Sequence, residues 1–595
     1  MTKKTVLVLA ILAIGRLANA QTIHSHNDYN QKVPFWEAYA HGAKSIEADL
    51  FLRNGKEIVV CHDRGALAKA PLFEELYLRQ LNRVESPSLA ITLMLDFKCP
   101  SDSLSRPLLE LLKRYKNTLT SKNVTITISG ARPPKSSWKS YPEYVLFDGR
   151  PSETYTPEEL KKVSMVSDDL QSYTAWNGKG MIPTFELEKI KQAVGNARTL
   201  GKPFRFWNTG DAPNTWLILH KLGVDVMNTD HLASCAAFFG AYKSNEYTLA
   251  KQQPTYKPTY ASDGKPGKPQ NVIFIIGDGM SISQITATEI ANRGNLTLLN
   301  IQNIGFAKTW SLNSGVTDSA GAGTALATGE KTENRLIATR PNGELLQNAA
   351  EAFSQLGKKI GVLSSGDITD ATPAAQYAHA LDRDSSEAIA TWLTKAKVDF
   401  IAGANLNPFT KRSDNRNLFD ELKSLGYRTV VSQDSIPATS GARTICIDEQ
   451  MGSWTTENSI GTLAQTAVKA INHLKNENGF YVMVESAKID HGGHNNSIRN
   501  VVLETLKLDA LVAEALRFAD QDGNTLVVIT GDHETGGLSL LGCDRKNGTV
   551  NASFASNDHS GVSIPVFAYG VGSDEFKGVY ENTEIFNKIK KLLQK

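Results

Sequence analysis

Short runs of β-branched and other apolar residues alternate with longer stretches of helical periodicity along the chain, a pattern typical of parallel α/β folds. In the first half, these runs predict strands at Ser45–Asp49, Ile91–Phe97, Val124–Ser129 and Phe204–Trp207. In the second half, they predict strands at Val272–Ile276, Ile360–Leu363, Tyr481–Glu485, Leu526–Thr530 and Pro565–Ala568. Several runs end directly on polar residues. Because ligands of open parallel sheets bind beyond the carboxyl ends of the strands, these polar residues are the first candidates for a site.

Residues 251–270 separate the two halves. They contain four prolines and no apolar periodicity, which predicts a semi-extended linker. A chain of 595 residues is too long for a single core. We therefore expect one domain over residues 21–250 and a second over residues 271–595.

The first 20 residues have the order of a secretory signal peptide: Lys3 and Lys4, an apolar run, and the small residues around Ala20. We expect cleavage near Ala20 and an exported protein, periplasmic or secreted. An N-terminal membrane anchor is the alternative, although the run is shorter than the roughly 20 residues that span a bilayer.

Composition narrows the function classes further. The formal net charge is only +2 and there is no long basic or acidic run, which argues against a nucleic-acid partner. The five cysteines lie far apart, which is not the pattern of a disulfide framework or a thiolate zinc site. One or two disulfide bridges remain open.

Residues 315–329 are mostly Gly, Ala, Ser and Thr, too small to form a core of their own. Such a run is typical of a helix packed tightly on its neighbours. It also places Ser319 at the start of that helix, where free N–H groups and the helix dipole favour an anion.

Carboxylates and histidines follow or precede four strands of the second half: Asp278, Glu485, Asp490, His491, His494, Asp532, His533, Glu534 and His559. Mixed Asp and His ligands suit Zn²⁺, whereas sites built from oxygen alone suit Mg²⁺. Four such clusters at the strand ends of one domain predict a metal centre.

The order and spacing of these motifs resemble the alkaline phosphatases over residues 271–595. The resemblance implies an α/β/α sandwich with a central, mostly parallel sheet. It implies two Zn²⁺ ions and one Mg²⁺, with Ser319 as the nucleophile that becomes phosphorylated and Arg383 as the phosphate-gripping arginine. The implied ligands are Asp490, His494 and His559 for one zinc; Asp532, His533 and Asp278 with the Ser319 oxygen for the other; and Asp278, Thr372 and Glu485 for Mg²⁺.

Two positions that vary in this family are occupied here by Asp370 and His491, a mixed pair. The third site is therefore open between Mg²⁺ and Zn²⁺. Residues 384–480 carry no recognisable chemistry, and we expect substrate preference and a possible homodimer interface to depend partly on them.

The first half carries a second set of polar residues at predicted strand ends. Glu47 and Asp49 are two apart on one strand and point the same way, so they repel unless a cation lies between them. With Asp96 as a third oxygen ligand, a hard ion such as Mg²⁺ or Ca²⁺ fits. His26 and His62 would act as acid and base on a phosphodiester.

Together these motifs resemble the glycerophosphodiester phosphodiesterase and phosphatidylinositol-specific phospholipase C superfamily over about residues 22–240. The resemblance implies a (β/α)₈ TIM-type barrel with its site at the strand C-termini. It implies His26 and His62 as the acid/base pair, Glu47, Asp49 and Asp96 as metal ligands, and Lys98 as a phosphate contact.

We therefore expect an exported phosphatase for small-molecule phosphomonoesters, preceded by a domain that cleaves phosphodiesters such as glycerophosphodiesters or phospholipid head groups and supplies it with monoesters. Two alternatives stay open. The barrel would be a non-catalytic module that binds lipid or glycan, or the second site would prefer diesters.

Overall fold

The computed structural model describes residues 21–86, 88–437 and 442–594. They form two compact units that meet in sequence between Lys243 and Ser244. Within these ranges, no helix combines the length and apolar composition that crossing a membrane requires. The predicted signal peptide, residues 1–20, lies outside the described residues.

The first unit is a closed barrel of eight parallel strands, with one further strand, β3, paired antiparallel to β2. Pairing of β1 with both β9 and β2 closes the ring. The predicted strands correspond to β2, β4, β5 and β8, and the TIM-type barrel is confirmed. The strands are β1 (Thr22–Ser25), β2 (Ser45–Arg53), β3 (Glu57–Val60), β4 (Ile91–Phe97), β5 (Val124–Gly130), β6 (Val145–Gly149), β7 (Val163–Asp169), β8 (Phe204–Trp207) and β9 (Val226–Thr229).

Helices cover the outside of this barrel. The loops that lead from each strand to the following helix lie at the C-terminal ends of the strands. The helices are α1 (Trp36–Ala40), α2 (Arg79–Arg83), α3 (Ser101–Arg114), α4 (Lys116–Ser121), α5 (Pro157–Lys161), α6 (Thr184–Thr199), α7 (Pro213–Leu222) and α8 (Leu232–Asn245).

The second unit is built on a ten-stranded sheet in the order β15-β16-β14-β13-β17-β11-β18-β23-β12-β24. All neighbours pair in parallel except β23, which is antiparallel to both of its neighbours. The mostly parallel sheet is confirmed. Its strands are β11 (Asn271–Gly277), β12 (Asn303–Lys308), β13 (Lys359–Asp367), β14 (Phe400–Ala404), β15 (Arg428–Val430), β16 (Thr444–Ile447), β17 (Phe480–Ser486), β18 (Thr525–Gly531), β23 (Ile564–Gly570) and β24 (Gly578–Glu581). Five strands outside this sheet belong to the described part of the unit: β10 (Glu246–Thr248), β19 (Glu534–Thr535), β20 (Leu538–Leu540), β21 (Thr549–Phe554) and β22 (His559–Ser560).

Apolar cores lie on both faces of this sheet. Side chains alternate along β11, so Ile273 and Ile275 join one core while Phe274 and Ile276 join the other. A strand buried on both faces reads as a continuous apolar run, which is why the sequence of β11 predicted it. The covering helices are α9 (Ile282–Ala291), α10 (Ser319–Thr328), α11 (Ala349–Gln355), α12 (Ala371–Ala375), α13 (Ser386–Trp392), α14 (Asn407–Thr410), α15 (Leu418–Ser424), α16 (Thr462–Leu474), α17 (Lys488–His494), α18 (Ile498–Asp522) and α19 (Thr583–Gln594).

Residues 251–270 contain neither helix nor strand, and they lie along the second unit. Tyr256 donates its hydroxyl to Asp520, and the Gln253 amide donates to the Asn292 side chain. Cys61, Cys99, Cys235 and Cys446 are free thiols.

Candidate active sites

The C-terminal ends of three adjacent parallel strands, β17, β11 and β18, bring the first acidic residues of the second unit together. The register aligns Ile276 with Glu485 and Gly277 with Gly531. Asp278, Glu485 and Asp532 therefore stand side by side at one edge of the sheet, all buried. Gly279 lets the helix that carries Asp490 (Lys488–His494) approach closely, because a Cβ at Gly279 would lie 2.5 Å from the Asp490 Cα.

One cluster joins Asp490, His494 and His559. The Nε2 atom of His494 lies 3.2 Å from Asp490 Oδ2 and 3.2 Å from the Nε2 atom of His559. The Nε2 atom of His559 lies 3.5 Å from Asp490 Oδ1. Two imidazole nitrogens and a carboxylate that converge in this way form a group able to hold a metal ion.

Backbone carbonyls fix the orientation of both imidazoles. The Nδ1 atom of His494 lies 2.7 Å from the Asn557 carbonyl, and that of His559 lies 2.9 Å from the Thr317 carbonyl. Because a carbonyl only accepts, Nδ1 donates in each ring, and Nε2 is the atom that faces the cluster. This is the arrangement that metal-ligating histidines adopt.

A second cluster joins Asp278, Asp490 and His533. The Nε2 atom of His533 lies 3.5 Å from Asp278 Oδ1 and 3.2 Å from Asp532 Oδ2. The same nitrogen lies 3.2 Å from the hydroxyl oxygen of Ser319. Asp490 belongs to both clusters, so the two groups are adjacent.

The carboxylates of this edge are crowded together and only partly hydrogen-bonded. Among the described residues, Asp278 Oδ1 and Asp532 Oδ2 are buried without a hydrogen bond. Burial and the nearby Asp532 and Asp490 carboxylates raise the pKa of Asp278 well above its ordinary value. Burial likewise raises the pKa of Glu485 to about 8. Such crowding of buried carboxylates is favourable only when cations lie between them, so the residues present fit a metal centre.

Ser319 is the first residue of α10, as its sequence predicted. Asp318 caps the helix, with its Oδ1 accepting from the Gly321 amide at 2.9 Å. A Cβ at Gly323 would lie 3.2 Å from the Thr372 Cα, so the small residues let α10 pack closely against α12. Tight packing and a helix that begins at Ser319 are therefore both present in this one run.

Thr372 and Glu485 lie on the far side of Asp278. The Thr372 hydroxyl donates to Asp278 Oδ2 at 3.5 Å, and the Ser364 hydroxyl donates to Glu485. The atoms that could bind a metal ion here are hydroxyl and carboxylate oxygens, which are the ligands of an Mg²⁺ site.

Arg383 reaches this edge from the loop after α12. Its Nη1 donates to Asp318 Oδ2 at 3.3 Å and its Nη2 donates to Asp370 Oδ1 at 3.0 Å. The guanidinium is thus held beside the residue that precedes Ser319. His491, the other variable position, is exposed and packs edge-on against Trp454 at 6.3 Å.

In the first unit, β2 and β4 bring Glu47, Asp49 and Asp96 together. Their parallel register pairs Asp49 with Asp96, and the three carboxylates form a group able to hold a metal ion. Lys98 Nζ lies 3.2 Å from Asp49 Oδ2 and 2.5 Å from Asp96 Oδ2. The Oδ1 atoms of both aspartates are buried without a partner in the described part of the chain. A cation and Lys98 therefore have separate oxygens to bind.

Each of the two predicted acid/base histidines is held by an aspartate. The Nδ1 atom of His62 lies 3.0 Å from Asp49 Oδ2, and that of His26 lies 2.9 Å from Asp230 Oδ1. Burial alone would lower the pKa of His26, but its hydrogen bond to Asp230 and the nearby Glu47 and Asp230 carboxylates together outweigh burial, and the pKa is raised. Because Nδ1 of His62 contacts Asp49, the Nε2 atom on the other side of the ring points away from that aspartate.

Several polar residues of this barrel carried no pattern in the sequence. Asp230 follows β9, and Tyr29 donates to Asp49 at 2.8 Å. Arg205 on β8 is 3% exposed, and its Nη1 lies 2.8 Å from His24 Nε2 and 3.5 Å from Glu47 Oε2. Burial and Arg205 lower the pKa of His24 to about 4. Their position along the chain could have indicated them, since Asp230 and Arg205 also lie near the ends of barrel strands.

The two folds and their clusters of carboxylates and histidines at strand ends define a phosphoesterase hydrolase. A family model for alkaline phosphatase matches residues 269–554 and 541–595. Alkaline phosphatase 4 of Bacillus subtilis is 27% identical over 431 residues, covering 58% of this chain and 93% of that protein. The structure of alkaline phosphatase from the Antarctic bacterium TAB5 is 36% identical with a TM-score of 0.52, covering 56% of this chain and 99% of that one. The chain belongs to the alkaline phosphatase family.

The first unit matches a different family model. A model for the AIM6-like phosphodiesterase domain matches residues 14–98, a range that contains β1 to β4. A solved glycerophosphodiester phosphodiesterase from Parabacteroides distasonis is 16% identical with a TM-score of 0.28, covering 37% of this chain and 97% of that one.

Proposed function

We propose that the second unit hydrolyses phosphomonoesters through a phosphoserine at Ser319. The observation that carries this proposal is the position of the Ser319 hydroxyl, 3.2 Å from His533 and at the start of a helix beside two clusters that share Asp490. The Ser319 oxygen forms a bond to phosphorus while the bond from phosphorus to the alcohol oxygen breaks. Water then hydrolyses the phosphoserine, which releases inorganic phosphate and restores the hydroxyl.

The two clusters, together with Asp532 beside His533, support the following assignment of metal ligands. Asp490, His494 and His559 would hold one Zn²⁺, and Asp278, Asp532 and His533 would hold another. When bound, two such ions lower the pKa of a coordinated hydroxyl and stabilise charge on the attacking and leaving oxygens.

Asp278, Thr372 and Glu485 would hold Mg²⁺, because all three offer oxygen. The solved structures include a variant of the TAB5 enzyme with magnesium in its M3 site, which supports this choice. Asp370 accepts from Arg383 and from the Ala371 amide, so its carboxylate serves the phosphate-gripping arginine and its own helix. Metal analysis of the purified holoenzyme tests the assignment; the second unit should account for two zinc ions and one magnesium per chain, in addition to the Mg²⁺ or Ca²⁺ proposed below for the first unit.

Arg383 would grip the phosphate. A guanidinium presents two N–H groups to two phosphate oxygens, which an ammonium cannot do. Its contacts with Asp318 and Asp370 hold the group in place before substrate arrives, which lowers the entropy cost of binding.

For the first unit we propose phosphodiester cleavage. Glu47, Asp49 and Asp96 would hold Mg²⁺ or Ca²⁺, Lys98 would contact the phosphate, and His26 and His62 would act as acid and base. The support is that each histidine is oriented by an aspartate, an arrangement that a module for binding lipid or glycan does not need. The product would be a phosphomonoester, which is the substrate proposed for the second unit.

We also propose that the protein is exported, since residues 1–20 have the order of a signal peptide. N-terminal sequencing of the protein from the periplasmic or culture fraction, expected to begin at Gln21, tests this.

One experiment tests the serial chemistry. The Ser319→Ala variant is incubated with glycerophosphocholine, and the products are separated. Accumulation of a phosphomonoester with no free phosphate supports both proposals. An intact diester with both the variant and the wild type would reject the barrel reaction for this substrate, whereas free phosphate from the variant would reject Ser319 as the nucleophile. A parallel assay of a His26→Ala, His62→Ala double variant with mono- and diesters tests the alternative that the second site prefers diesters, because the proposed barrel reaction is then removed.

A further inference from the structure

Arg335 bridges the two carboxylates that flank Arg383 in sequence. Its Nε lies 3.2 Å from Asp382 Oδ2, and its Nη2 lies 2.7 Å from Asp382 Oδ1. The same Nη2 lies 2.5 Å from Asp384 Oδ2. One guanidinium thus holds the chain on both sides of Arg383.

The backbone of Arg335 makes a second connection. Its N–H donates to Asp318 Oδ2 at 3.0 Å, and this is the oxygen that also accepts from Arg383 Nη1. The neighbouring Asn334 side chain accepts from the Asp318 amide at 3.1 Å. Arg335 therefore contacts both the residue that caps the Ser319 helix and the loop that carries Arg383.

This arrangement has an energetic cost. Arg335 adopts a φ of 74°, a left-handed conformation that glycine takes freely and a long side chain does not. Ion pairs as exposed as these, with the Arg335 side chain 50% exposed, contribute little to the stability of a fold. The stability of the fold therefore does not explain an arginine here.

Arg340 provides the contrast within the same region. It also pairs with two carboxylates, Glu330 and Glu344, at a similar exposure. Its φ is not among the positive values of the described residues, and its partners do not flank Arg383. Arg340 is therefore a matched control for the loss of an exposed arginine with two acidic partners.

We propose that Arg335 is a positioning residue for Arg383, which fixes the Asp382–Asp384 segment so that the Arg383 guanidinium stays beside Ser319. The contacts of Arg383 with Asp318 and Asp370 hold its head group, whereas Arg335 holds the backbone from which it extends. This inference rests on the proposed phosphate-gripping role of Arg383.

The test measures kcat, KM and the inhibition constant of inorganic phosphate for the holoenzyme with p-nitrophenyl phosphate. Arg335→Ala and Arg335→Gly are both expected to lower kcat/KM and to weaken phosphate inhibition by about 10- to 100-fold, since small displacements of a positioned group have effects of this size. Arg340→Ala should stay within about twofold of the wild type, as expected for exposed pairs.

Two further measurements separate positioning from a general loss of structure. Arg335→Gly relieves the left-handed backbone, so it should melt at a higher temperature than Arg335→Ala while remaining equally impaired. In an Arg383→Ala background, Arg335→Ala should have no further effect, because its action passes through Arg383.

An active wild type with unaltered kinetics in Arg335→Ala, or an equal loss in the Arg383→Ala background, overturns the inference alone. A fully loaded wild type without phosphatase activity overturns the proposed function and this inference with it.

Discussion

The hydroxyl oxygen of Ser319 lies 3.2 Å from the Nε2 atom of His533, a nitrogen that also faces Asp278 and Asp532. Two residues earlier, the Thr317 carbonyl accepts from His559. The Ser319 side chain therefore contacts the cluster that contains His533, and the Thr317 backbone contacts the cluster that contains His559. The residues around this hydroxyl come from three places in the fold: Asp278 follows β11, His533 follows β18 and His559 begins β22.

Replacement of Ser319 by alanine should remove phosphomonoesterase activity. Because the variant lacks the oxygen that forms the phosphoenzyme, we expect kcat to fall by about 10⁴-fold or more. Steady-state hydrolysis of p-nitrophenyl phosphate measures the loss. Mass spectrometry of acid-quenched wild type should detect a phosphate on the peptide that contains Ser319.

Ser424→Ala, an exposed position at the end of α15, serves as the control and should retain full activity. Activity of Ser319→Ala within tenfold of the wild type would rule out the phosphoserine route.

Chelation should destabilise the second unit as well as inactivate it. Asp278, Glu485, Asp490 and Asp532 are buried together, and without cations their charges repel one another. For ions present at 1,000 times their dissociation constants, their loss removes about 4 kcal/mol per site. Differential scanning calorimetry with and without EDTA measures the shift, and added Zn²⁺ and Mg²⁺ should restore the original transition. An unchanged transition after complete metal removal would contradict the metal centre.

Alanine at His26 or at His62 should impair the barrel reaction alone. Loss of a general acid or base lowers the rate by about 10²- to 10⁴-fold. Hydrolysis of glycerophosphocholine to the monoester measures this rate, and phosphomonoester hydrolysis by the same preparations should not change. His41→Ala, at an exposed position after α1, is the control. If both variants cleave the diester at the wild-type rate, the acid/base assignment is wrong.

Asp509 should make the stability of the second unit depend on pH. Its carboxylate accepts from the Thr297 and Leu298 amides at 2.9 and 2.8 Å, and burial raises its pKa to about 6. A folded-state pKa above the unfolded value favours folding at low pH. The contribution is therefore complete below about pH 4 and is lost as the pH rises through about 6.

Asp509→Asn isolates this effect, because all other titrating groups are common to both proteins. The unfolding free energy of the wild type relative to the variant should fall by about 2 kcal/mol from pH 4 to pH 7. Urea unfolding at several pH values measures it; a constant difference would show that the pKa of Asp509 is not raised.

The strands of both units that the sequence predicted are present, because buried strands are short, continuous apolar runs that are rich in β-branched residues. The candidate ligands were recognisable for a related reason: Asp278 and Asp532 directly follow such runs. The helix that begins at Ser319 was also predictable, since few other structures accommodate so many small residues in succession.

Other contacts could not be predicted from the sequence. Asp230 is 204 residues from His26, and Arg335 is 47 residues from Asp382, and neither stands in a repeating pattern. A lone charged residue on a strand or loop reads as solvated surface. Arg205 lies beside Glu47 inside the barrel because β9 pairs with β1 and closes the ring of strands.

All the groups proposed for chemistry in the barrel come from β1 to β4 and the loops that follow them, with Asp230 after β9 as a support. The loops after β5, β6, β7 and β8 contribute none of these groups, yet they surround the same end of the barrel. The residues proposed for bond cleavage are therefore concentrated in one stretch of the chain. Exchange of those later loops offers a route to new alcohol leaving groups that leaves the bond-breaking residues untouched.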